Sequence, residues 1–99
     1  MIPEKLQILF TYPCVLVLEK SYLCVSTFIA GMDYSQDGPL SLGFTTFLKE
    51  KYRFSTGKSW TSLIPDLLDE INVDIEGDQE ERKLNFLRIE LEEFYSKIS

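Results

Sequence analysis

Apolar residues recur at helical intervals along most of the chain, and short polar breaks separate the runs. Leu6, Leu9 and Phe10 share one face after Pro3, whose missing N–H costs nothing in a first helical turn. Pro13 ends that helix, because a residue before proline is pushed out of the α region. The run CVLVL (14–18) is short and β-branched and reads as a strand or an extended buried link. Ser21 is placed to cap a second helix, in which Cys24, Val25, Phe28, Ile29 and Met32 fall at helical spacing. The loop-forming DYSQDGP ends it. A third helix is expected over 40–52, where Leu40, Phe44, Phe47, Leu48 and Lys51 share a face. After the breaker RFSTGKS, Ser59 caps a short helix lined by Trp60, Leu63, Ile64 and Leu67. Pro65 either sits within its first turns or kinks it. EINVDIEGD alternates polar and apolar residues and reads as extended. Asp78 then opens the last helix as its N-cap, with Glu80 and Glu81 favourably set against the helix dipole. Leu84, Leu87, Leu91, Phe94 and Ile98 form its seam, with Phe86 and Tyr95 beside it. The expected fold is mainly α: a single compact helical domain over 1–99, of four to five helices, with at most a minor β element.

Composition agrees with one core. The chain has 99 residues, 44% hydrophobic and 13% aromatic, enough for one domain that needs neither disulfide nor metal. Cys14 and Cys24 lie in apolar company without metal-ligand spacing, so they read as buried, reduced thiols of a cytoplasmic protein. The N-terminal MIPEKLQILFTYP lacks the basic start and small-residue cleavage site of a signal peptide. CVLVL is far too short to span a bilayer.

Charge changes the picture more. The formal net charge is −6 and the pI about 4.5. Such a chain is repelled by nucleic-acid phosphates and anionic lipid, so neither is an expected direct partner. A basic protein is. Of sixteen Asp and Glu, eight lie in DLLDEINVDIEGDQEE (66–81), which has no Lys or Arg. Solubility is the simplest use of that charge.

Catalytic chemistry is thin. The chain has no histidine, and therefore no Ser-His or Cys-His nucleophile and no imidazole metal ligand. Phosphate-cradling glycine motifs and the GxSxG elbow are absent. A carboxylate dyad would need a cleft that a helical domain of this size rarely builds. Asp74, Glu76 and Asp78 match the first, third and fifth positions of a calcium loop, but Gln79 and Asn85 stand where Gly and Glu are required. No enzymatic activity, cofactor or metal is expected.

Three stretches, STFIAGMDYS, GPLSLGFTTFLKEKY and SWTSLI, together resemble small bacterial immunity proteins encoded beside polymorphic toxins, including those of contact-dependent growth inhibition systems. The matching positions are Phe28 to Gly31, Gly43, Phe44, Phe47 and Leu48, then Ser59, Trp60, Leu63 and Ile64, within 21–64. Met32 stands where an aromatic is typical of the family. Core packing is the simpler role for the aromatic residues, with Gly31 at a helix end and Gly43 at a close helix approach. The resemblance implies a scaffold that binds a cognate toxin domain, in a 1:1 complex, inside the producing cell. Many such toxins are nucleases, whose substrate-binding groove is cationic. An acidic segment complements that groove and speeds encounter. The expected toxin-binding residues are Asp66, Asp69, Glu70, Asp74, Glu76 and Asp78, with Tyr52, Phe54 and Tyr95 as aromatic anchors. The alternative is a non-toxin interaction protein, a co-regulator or an inhibitor, that uses the same acidic face.

Overall fold

The computed structural model describes residues 4–11, 21–35, 38–53, 57–71, 75 and 77–98. Five α-helices lie among them: α1 (Glu4–Thr11), α2 (Tyr22–Ser35), α3 (Thr45–Tyr52), α4 (Trp60–Ile71) and α5 (Gln79–Ile98). A π-helical turn, Leu40–Phe44, leads directly into α3. The mainly α expectation holds, and no strand occurs among the described residues. The strand-like 14–18 lies outside them, as do 72–74 and 76 of the alternating stretch expected to be extended; its first two residues, Glu70 and Ile71, are instead helical and close α4.

Helix ends follow local chemistry. The Ser21 hydroxyl accepts the Cys24 N–H at 3.2 Å, capping α2 as its side chain predicts. α2 then runs through Asp33, Tyr34 and Ser35, past the expected loop boundary. Its end is set by the Asp33 carbonyl, which accepts the Gly38 N–H at 2.8 Å. Gly31 is thus inside the helix, not at its end, and faces open space. α3 closes on Arg53, which adopts the left-handed conformation (φ 51°, ψ 44°) and donates its N–H to the Lys49 carbonyl.

Pro65 sits well inside α4. Proline has no N–H, so the carbonyl four residues back, Thr61, loses its helical donor. The Tyr22 hydroxyl donates to that carbonyl at 2.7 Å. A side chain of α2 thereby supplies the hydrogen bond that α4 cannot make for itself. The α4 N-terminus also borrows a partner: the Trp60 N–H donates to the Thr45 hydroxyl at 3.0 Å.

The core collects the predicted faces. Leu6 comes from α1, Val25 and Ile29 from α2, Leu40, Phe44 and Leu48 from the π-turn and α3. Leu63, Ile64 and Leu67 come from α4, and Leu84, Leu87, Leu91 and Phe94 from α5. The α5 seam stops at Phe94, since Ile98 is 53% exposed. Trp60 is buried against Phe44, with ring centroids 5.6 Å apart, while Phe47 packs on Phe44 and Phe94 instead. Gly43 allows Phe94 to approach: a Cβ there would sit 3.2 Å from the Phe94 ring edge. That is the close helix approach expected of it.

Candidate functional site

The acidic stretch divides into two halves with different physics. Its second half opens α5. The Asp78 carboxylate accepts the Glu81 N–H at 2.9 Å and so caps the helix. Gly77 before it takes φ 119°, a conformation that side chains disfavour. Glu80 reaches across to α2 and accepts the Tyr22 N–H at 2.8 Å. That bond, reinforced by Lys83, holds the Glu80 carboxyl below its usual range. Ser21 and Glu80 together satisfy two of the donors that α2 would otherwise leave open at its N-terminus. Asp78 and Glu80 are therefore used by the fold.

The first half lies on the C-terminal part of α4. Asp66 is half-buried and pairs with Lys58 at 2.8 Å. Asp69 and Glu70 are exposed, and neither has a cationic partner among the described residues. They occupy the last turn of α4, which carries no basic residue. Helix C-termini bear partial negative charge, so two carboxylates there cost stability, roughly 0.3–1 kcal/mol each at an exposed end. Asp74 and Glu76 lie outside the described residues.

The aromatic candidates do not gather at this end. Phe54 lies outside the described residues. Tyr52 is half-buried at the end of α3, on the Phe86 ring at 6.2 Å, and donates its hydroxyl to Glu90. Tyr95 is half-buried in α5 beside Phe94, at 5.6 Å. Burial, followed by the field of Asp33, pushes its phenol up to about 12.

Two buried acids escaped the sequence reading. Glu90, 2% exposed on the apolar seam of α5, receives Lys51 at 2.8 and 3.0 Å as well as the Tyr52 hydroxyl. Lys51 also meets Glu93. Burial works to lower the Lys51 ammonium, but the hydrogen bonds it donates to Glu90 and Glu93 more than offset it and the proton is held more tightly than usual. A signal for the pair existed: Lys51 falls on the apolar face of α3 and Glu90 on that of α5, with opposite charge. Asp33, 8% exposed, is the only charged residue of α2. Both its carboxylate oxygens lie 3.2 Å from the Leu40 N–H, at the entry to the π-turn. Gly38 packs directly on it, where a Cβ would fall 2.0 Å from Asp33 Oδ1.

Among the described residues no group of three acidic or cysteine side chains converges in a metal-binding arrangement. No helix among the described residues is long and apolar enough to cross a membrane. Cys24 is half-buried on α2, and Cys14 lies outside the described residues. Comparison with known protein families, with characterised proteins and with solved structures finds no match to this chain.

Proposed function

We propose that the protein is an immunity protein: it binds a cognate bacterial toxin domain in the cytoplasm, a basic nuclease, in a 1:1 complex, and neutralises it through the acidic end of α4. One observation carries the reading. Asp69 and Glu70 are exposed, unpaired among the described residues, and set against the α4 dipole, where folding alone would favour lysine. Three other described acids of the stretch have a structural use or a partner of their own: Asp78 caps α5, Glu80 caps α2 and Asp66 pairs with Lys58. A pair of carboxylates kept at a cost to stability fits a surface selected for something outside the molecule. A cationic nuclease groove is its electrostatic complement, and blocking that groove would deny it to nucleic acid.

The test separates binding from folding. Asp69→Lys with Glu70→Lys places cations at a helix C-terminus, so the variant should be as stable as the parent or more so, by roughly 0.5–2 kcal/mol. Its binding to the toxin domain encoded beside its own gene should weaken, largely through slower association. Parent association should itself slow as salt rises, because steering is screened beyond ~8–10 Å. A doubly reversed variant that protects cells and binds as tightly as the parent at low salt would end the proposal.

A further inference from the structure

We propose that the cavity between α2 and the start of α4 receives one cationic side-chain terminus, a guanidinium or a primary ammonium, with Asp33 as its counter-charge. The cavity has a volume of about 220 Å³ and is lined by Ala30, Asp33, Tyr34, Ser59, Trp60 and Thr61. Only the source of the cation, a basic protein partner, rests on the function proposed above.

Asp33 is the buried acid that the fold leaves least compensated. The other buried acid, Glu90, has Lys51, and the half-buried Glu80 and Asp66 have Lys83 and Lys58. Asp33, though 8% exposed, has no Lys or Arg among the described residues, and its carboxylate shares a single backbone N–H at 3.2 Å. Burying an ionised carboxylate on one long hydrogen bond is costly unless an opposite charge arrives. An anion would be repelled, and an apolar ligand would complete the desolvation of Asp33 without pairing it. A cation relieves it.

The walls suit that occupant. Ala30 and Trp60 offer apolar surface to the methylenes of a lysine or arginine stem. Tyr34, 80% exposed, stands at the site as an aromatic face for a planar cation. The Ser59 and Thr61 hydroxyls, 2.9 Å apart, share one hydrogen bond and keep acceptor capacity beyond it. The site lies at the opposite end of α4 from Asp69 and Glu70. Trp60 and Asp69 are nine helical steps apart, about 14 Å along the axis. A protein partner covering ~800 Å² of this chain could span both.

The test is an NMR titration of the full chain with methylguanidinium, read at the indole N–H of Trp60, the one tryptophan of the chain. Methylurea, a neutral analogue of the same shape, and sodium chloride at matched ionic strength are the controls. Methylguanidinium should give a saturable shift, with Kd on the order of 1–10 mM for so small a ligand. Methylurea should give none. Ala30→Leu fills the cavity while keeping the Asp33 carboxylate and should weaken binding at least tenfold, as should Asp33→Asn. Because Asp33 also holds Leu40, Ala30→Leu carries the test if Asp33→Asn unfolds. A shift that never saturates, an equal shift with methylurea, or an unchanged Kd in Ala30→Leu overturns the proposal. No toxin is present in this titration, so its outcome is independent of the reading of the acidic end.

Discussion

Tyr22→Phe removes one oxygen atom, and the structure says what that oxygen does. It donates to the Thr61 carbonyl, whose helical donor is missing because position 65 is proline. Tyr22 is 6% exposed, so water cannot readily take over. A part-buried carbonyl left without a donor costs about 1–3 kcal/mol. For a chain of this length that lowers Tm by roughly 5–15 °C. The assay is urea denaturation with an unchanged m-value, which ties the loss to stability and not to a change of unfolded state. Other losses could follow from altered packing, and a double-mutant cycle separates them. Pro65→Ala restores an N–H four residues beyond Thr61. Pro65→Ala alone combines a gained hydrogen bond with a more flexible unfolded chain, so its own sign is not informative. In its background, however, Tyr22→Phe should cost at least about 1 kcal/mol less than in the parent, since the carbonyl keeps a donor either way. Equal costs in both backgrounds would show that the tyrosine is not substituting for the proline's missing donor.

Three further outcomes are expected. Trp60→Ala should destabilise by about 3–5 kcal/mol, read by calorimetry, because the indole is 2% exposed and packed on Phe44. Lys51→Met should cost about 2–3 kcal/mol in chemical denaturation by stranding Glu90, held to the low end because the Lys51 side chain is 31% exposed. Adding Glu90→Met should recover most of that loss, and a double variant no more stable than the single one refutes the stranding argument. Burial pushes Tyr52 and Tyr95 up to about 12 and Tyr22 further still. Unfolded tyrosines release their protons near pH ~10, so the stability these three contribute should be constant below that and fall as pH rises towards 12. A melting temperature constant from pH 9 to about 11.5 would contradict it.

What could be read from the sequence was what local chemistry decides. Ser21 and Asp78 cap their helices through bonds to residues three positions on, and that spacing is visible in one dimension. Leu84, Leu87, Leu91 and Phe94 show their seam because a long helix repeats it many times. α2 was harder to read. Apolar residues surround it: of the five its period selects, Val25 and Ile29 are buried while Cys24, Phe28 and Met32 are half-buried, and Tyr22, Ser26 and Asp33 complete the buried face unannounced by that period. The choice is made by partners far along the chain, Thr61 for Tyr22 and Leu40 for Asp33. The acidic stretch was visible as a run of charge, but its division was not. That Glu80 caps a helix 58 residues away, while Asp69 and Glu70 oppose the dipole of their own, depends on where two helices start and stop.

The contact between Gly38 and Asp33 bears on how this chain can diverge. A methyl group at position 38 would overlap the carboxylate oxygen, so no other residue fits there while the aspartate at 33 stays in place on Leu40. Shortening position 33 to serine or alanine first would open that space, but at the expense of the bond to Leu40. The two positions are thus tied into an order of substitution: 33 must yield before 38 is released. Descendants of this sequence should show the pair drifting together, with glycine at 38 retained wherever aspartate is found at 33.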